Sequence, residues 1–139
     1  IRDSYESITK AGSLLGSGAV IIMDEDTNMV EVIHRIARFY YSESCGQCTP
    51  CREGTGWMYK IIDKILKGNG TLEDVKTLES IPNMISGSTI CALGDAAAMP
   101  VESFIKNYKE EFLKYIKTQE EVVDNNYTNN NKEFVMQQK

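Results

Sequence analysis

Apolar residues recur along this chain with two different periods. Near the start, AVIIM at residues 19–23 is a continuous apolar run between Gly18 and Asp24, which predicts one buried strand. A lone strand cannot make a sheet, so its partners are expected in sequence on the N-terminal side. Gly12, Gly16 and Gly18 precede this run. A phosphate loop would follow its strand and carry Gly-Lys-Ser/Thr, so these glycines read as plain turns.

From residue 27 onward the spacing changes to threes and fours, the signature of helices with one apolar face. After Asp26 or Thr27 as N-cap, NMVEVIHRIARFYYSE places Met29, Val32, Ile33, Ile36, Phe39 and Tyr40 on one side. His34 sits one step off that face and reads as a partly exposed helix residue rather than a ligand. The second helix is expected to begin with Thr49 as cap and Pro50 at the first helical position. Its face, Trp57-Met58, Ile61-Ile62 and Ile65-Leu66, runs to a stop at Gly68. Trp57 and Met58 read as core.

A third helix opens on TLED, where Thr71 caps and Asp74 completes a capping box. It carries Leu72, Val75, Leu78 and Ile81, and Pro82 limits its regular course. The loop NMISGSTICALGD follows. Pro100 then starts a fourth helix with Phe104, Ile105, Tyr108, Phe112, Leu113 and Ile116 on one stripe. The expected fold class is all-α, a four-helix bundle preceded by one short strand. Three regions result: residues 1–26 before the bundle, 27–118 forming it, and an Asn-rich, charged tail over 119–139 expected to be disordered or loosely helical.

Charge and composition narrow the function classes. A net charge of −5 weighs against nucleic acid, which needs clustered Lys and Arg. No run approaches the roughly 18 apolar residues of a membrane helix, so direct membrane insertion is not expected. No charged-then-apolar leader is visible and the first residue is Ile1, which points to a fragment or a processed product. Without an export signal a reducing compartment is expected, where disulfides are rare.

The chemistry then rests on four cysteines. Cys45, Cys48 and Cys51 follow at three-residue steps in SESCGQCTPCREG, and Cys91 stands alone in STICALGD. Three ligands from one loop plus a remote fourth is an iron–sulfur spacing. Structural zinc more often takes two pairs, so a four-cysteine zinc module is the weaker alternative. Gly46 can relieve crowding where the backbone bends between ligands. The amides at the start of the second helix favour a negatively charged group nearby. Arg52 either hydrogen-bonds sulfur or pairs with Glu43 or Glu53.

ESCGQCTPCREGTGW followed by STICALGDAAAMPV resembles the NADH-binding flavoprotein (51 kDa-type) subunit of respiratory complex I, in its iron–sulfur region. The resemblance runs from about Gly16 through Ile116. It implies a [4Fe–4S] cluster on Cys45, Cys48, Cys51 and Cys91, relaying electrons from FMN that NADH has reduced. It implies that AVIIM is the last strand of a ubiquitin-like domain. FMN and NADH would bind only through an N-terminal part that this sequence lacks.

The implied partners are that flavin domain and neighbouring iron–sulfur subunits of complex I. The implied location is peripheral, on the cytoplasmic face of the bacterial inner membrane or the mitochondrial matrix side. Diaphorase subunits of NAD-reducing hydrogenase and formate dehydrogenase share the triplet, while ICALGDAAAMPV favours the complex I branch. The loop Ala92-Leu93-Gly94 is expected to face the flavin domain, with Gly94 in a backbone conformation closed to other residues.

Overall fold

The computed structural model describes residues 5–116, and the tail expected over 119–139 lies outside them. The regular structure among the described residues is all helical, with five helices and no strand: α1 (Tyr5–Lys10), α2 (Met29–Glu43), α3 (Thr49–Leu66), α4 (Leu72–Ile85) and α5 (Leu93–Lys114). The expected strand at 19–23 is absent. Its backbone is irregular, and Val20, Ile21 and Ile22 are 83%, 80% and 91% exposed. The physical reason is the one that makes single strands unstable: the described chain offers no neighbouring strand to take up the N–H and C=O groups.

Helices α2 to α5 pack up and down on one another. α3 touches α2, α4 and α5, whereas α2 and α4 make no helix-to-helix contact among the described residues. Their shared core is Val30, Ile33 and Ala37 from α2, Met58, Ile62 and Ile65 from α3, Val75, Leu78, Ile81 and Ile85 from α4, and Val101, Ile105 and Phe112 from α5. Small buried residues line the cysteine-bearing half of two helices: Gly54, Thr55 and Gly56 on α3, Gly94, Ala97 and Ala98 on α5. A Cβ at Gly54 would run into Ile85 of α4 at 2.6 Å and one at Gly56 would meet Tyr41 of α2 at 3.0 Å, so both glycines of α3 admit neighbouring helices closely.

Helix boundaries follow the expected logic with local shifts. Asn28, not Asp26 or Thr27, caps α2, its side-chain oxygen accepting from the Val30 and Glu31 amides at 3.0 and 3.2 Å. The capping box of Thr71 and Asp74 on α4 forms as expected. Cys48 occupies the N-cap of α3, so Thr49 and Pro50 lie inside the helix. Proline did not mark the other boundaries. α4 runs through Pro82 to Ile85, and α5 begins at Leu93, about two turns before Pro100.

Periodicity also overstated four core positions. Trp57 is 50% exposed, and Phe39, Leu72 and Tyr108 are exposed as well. At Tyr108 the backbone leaves helical geometry (φ −128°, ψ 27°), and its ring lies against Phe104 while staying exposed. Beside Phe39, the core takes Ala37 instead.

Candidate iron–sulfur site

The up-and-down arrangement sorts the helix ends. Lys64 of α3 pairs with Asp74 of α4, and Asn28 bonds the Tyr115 hydroxyl beyond α5, so these ends lie together. The opposite end gathers the C-termini of α2 and α4 with the N-termini of α3 and α5. The four cysteines belong to this end. Cys45 lies in the α2–α3 connection, Cys48 caps α3, Cys51 is in its first turn, and Cys91 directly precedes α5.

All four thiols are free. Cys51 is buried, Cys48 half-buried, and Cys45 and Cys91 exposed. Among the described residues, no three His, Cys, Asp or Glu side chains converge on one point. Two sulfurs nevertheless have hydrogen-bond partners. The Ile90 amide donates to the Cys48 sulfur at 3.4 Å, which ties the loop bearing Cys91 to the triplet 42 positions earlier. The Ser44 hydroxyl lies 3.3 Å from the Cys51 sulfur.

Several bonds shape the two loops. Gly46 adopts φ +79°, a left-handed turn that glycine alone takes without strain, so the expectation for this position holds. Arg52 Nη1 donates to the Gly46 carbonyl at 2.8 Å, while its Nε pairs with Glu53 at 3.0 Å. Of the two roles considered for Arg52, the structure has the pairing with Glu53, and adds a clamp on the cysteine loop. The buried Thr55 hydroxyl donates to the Cys51 carbonyl at 2.7 Å.

In the second loop, Gly87 N–H donates to Asp95 at 2.8 Å, and the Thr89 hydroxyl to the Cys91 carbonyl at 2.9 Å. Gly94 is helical and buried, not a left-handed loop residue. A Cβ there would stand 2.5 Å from Thr89 Oγ1, so close approach explains this glycine. His34 takes no part in the site; its ring bonds Asp63 at 3.1 Å. Sequence reasoning passed over Ser44, Thr55, Thr89 and Asp95. Ser44 adjoins the first cysteine and was the one with a visible signal, a hydroxyl beside a ligand motif.

The donor set fits an iron–sulfur group. The donors are all thiols, whose thiolates are the ligands such clusters take, and a hydroxyl and an amide already address two of the sulfurs. No side chain caps α3 or α5, so the helix starts beside Cys48 and Cys91 keep their orphan amides away from competing side-chain oxygens.

Comparison with known proteins agrees with this chemistry. Residues 31–115 match the family described as the NADH-ubiquinone oxidoreductase-F iron-sulfur binding region. The chain is 46% identical over 114 residues to the F subunit of NADH-quinone oxidoreductase from Rickettsia rickettsii (strain Sheila Smith), covering 82% of this chain and 27% of that protein. It is 47% identical over 107 residues to the corresponding protein of Rickettsia bellii (strain OSU 85-389), covering 77% and 26%. It thus spans about a quarter of the length of these curated relatives. The crystal structure of an NAD+-reducing [NiFe]-hydrogenase in the H2-reduced state is similar at a TM-score of 0.66 and 31% identity, over 70% of this chain and 17% of that one. The chain belongs to the NADH-ubiquinone oxidoreductase-F iron-sulfur binding region family, whose cofactor is a 4Fe–4S cluster.

Proposed function

We propose that this chain is the cluster-carrying part of an F-type subunit of NADH-quinone oxidoreductase, with Cys45, Cys48, Cys51 and Cys91 as the four ligands. The observation that carries the reading is the Ile90 amide on the Cys48 sulfur, which holds the Cys91 loop against the triplet. Bound there, a [4Fe–4S] cluster supplies reversible one-electron transfer between FMN on the rest of the subunit and the next iron–sulfur centre.

The chain's own residues do the holding. Gly46 turns the loop between Cys45 and Cys48, Arg52 clamps that turn through its carbonyl, and the buried start of α3 keeps water from Cys51. The partners are the flavin- and NADH-binding part of the subunit and neighbouring iron–sulfur subunits. In this reading residues 1–26 close a preceding ubiquitin-like domain, and 27–118 form the cluster domain. No helix of the described residues is long and apolar enough to cross a membrane. The protein is then peripheral through its partners, on the bacterial cytoplasmic or mitochondrial matrix side. Higher identity to the Rickettsia oxidoreductase proteins than to the hydrogenase favours the complex I assignment over the diaphorase one.

Anaerobic reconstitution followed by metal and acid-labile sulfide analysis tests the cofactor. The expected result is about four irons and four sulfides per chain. One zinc and no sulfide would replace this reading with the structural four-cysteine zinc module.

A further inference from the structure

We propose that the Ser44 hydroxyl is a hydrogen-bond donor to the Cys51 ligand that favours the one-electron-reduced form of the cluster. The inference rests on Cys51 being a ligand, as proposed above.

Ser44 caps the C-terminus of α2 and its Oγ lies 3.3 Å from the Cys51 sulfur. Its Oγ also receives the Gly46 N–H at 3.4 Å, on the acceptor side of the hydroxyl. A metal-bound cysteine is a thiolate and has no proton of its own. Only the serine can then donate across the contact, and its single proton is the one available.

Cys51 is 7% exposed, so little water competes for its sulfur. Reduction adds one electron, supplied by the external reductant, and one negative charge spread over iron and sulfur. No bond breaks and Ser44 keeps its proton, yet its hydrogen bond strengthens as the sulfur gains charge. Ser44's role in ending α2 does not need the hydroxyl, because its backbone N–H makes the bond to the Tyr40 carbonyl at 3.1 Å.

The test is a dithionite redox titration, followed by electron paramagnetic resonance, of the reconstituted full chain and its Ser44→Ala and Ser44→Thr variants. At the potential where the wild type is half reduced, Ser44→Ala should show a reduced-to-oxidised ratio about three- to tenfold lower, the share expected of one charge-assisted hydrogen bond. Ser44→Thr, which keeps the hydroxyl, should lie within about twofold of wild type by the same reasoning. A fully loaded Ser44→Ala with the wild-type midpoint overturns the proposal. Should Ser44→Ala fail to hold iron, retention by Ser44→Thr supports the hydroxyl contact, and loss in both overturns it. Full iron in Cys51→Ala would instead remove the ligand assignment beneath it.

Discussion

The two ends of the helical bundle are built on opposite rules. At the end holding the N-termini of α2 and α4, each helix start is closed by its own side chains: Asn28 on α2, and the Thr71–Asp74 box on α4. Lys64 reaches Asp74 across this end, and the Met29 amide donates to Glu111 of α5 at 3.1 Å. At the other end, α3 and α5 start at or just after a cysteine with no side-chain cap. A helix start left without a cap costs about 1 kcal/mol. The amides at these two starts are left to water or to a bound group. One end closes itself with side chains, and the other carries the four cysteines proposed above to hold the cluster.

Removing that cofactor should therefore produce the largest effect. Cys91→Ala is expected to lose most of the iron and to lower the melting temperature of the reconstituted protein by about 10 °C or more, because binding energy counts as folding energy. Calorimetry beside iron analysis reads both quantities. Retention of a full cluster and an unchanged melting temperature would take Cys91 out of the ligand set and erase the contrast between the ends.

An intermediate effect is expected from the self-capped end. Asn28→Ala deletes the acceptor for two amides and the bond to Tyr115, costing about 1 kcal/mol or slightly more by chemical denaturation. Iron content and spectrum should stay as in the wild type. If the variant sheds its cluster, the ends are coupled more tightly than the packing implies.

The smallest effect concerns acid. Burial pushes the Asp74 carboxyl up, but hydrogen bonds from Lys64 and Thr71 outweigh it and hold the group below its ordinary 3.8. The folded-state value is the lower one, so the stabilisation is complete above 3.8 and is lost as pH falls from there through the folded value. Asp74→Asn should flatten the acid side of the stability profile by less than about 1 kcal/mol, since Lys64 is well exposed. An Asn variant as acid-sensitive as the wild type would assign that slope elsewhere. Asp63 is the next candidate, its carboxyl lowered first by its hydrogen bond from Lys67.

Much of this was legible along the chain. The type and order of α2 to α5 came from three- and four-residue spacing and the Thr71 box from a local pattern only three residues wide, while the short α1 over Tyr5–Lys10 was not anticipated. Prolines were the poorer guides. Pro100 reads as a helix start because its missing N–H suits one, yet α5 had already begun at Leu93. Trp57 and Phe39 lie at apolar spacing but face outward, since spacing does not say how wide the buried stripe is. The strand at 19–23 shows the converse: apolar content alone does not make a strand without a partner.

By itself the sequence determined the four thiols, their three-plus-one spacing and the helices that flank them, because ligand type and helix period are local properties. Tertiary structure alone decided which groups address the sulfurs. Ile90 meets Cys48 only because α4 brings the chain back to the start of α3, and the Thr89–Gly94 approach depends on the turn that follows α4. Ser44 meets Cys51 only because Gly46 turns the loop between them. Such donors are set by how the chain closes in space, and no residue pattern encodes that separately from the fold.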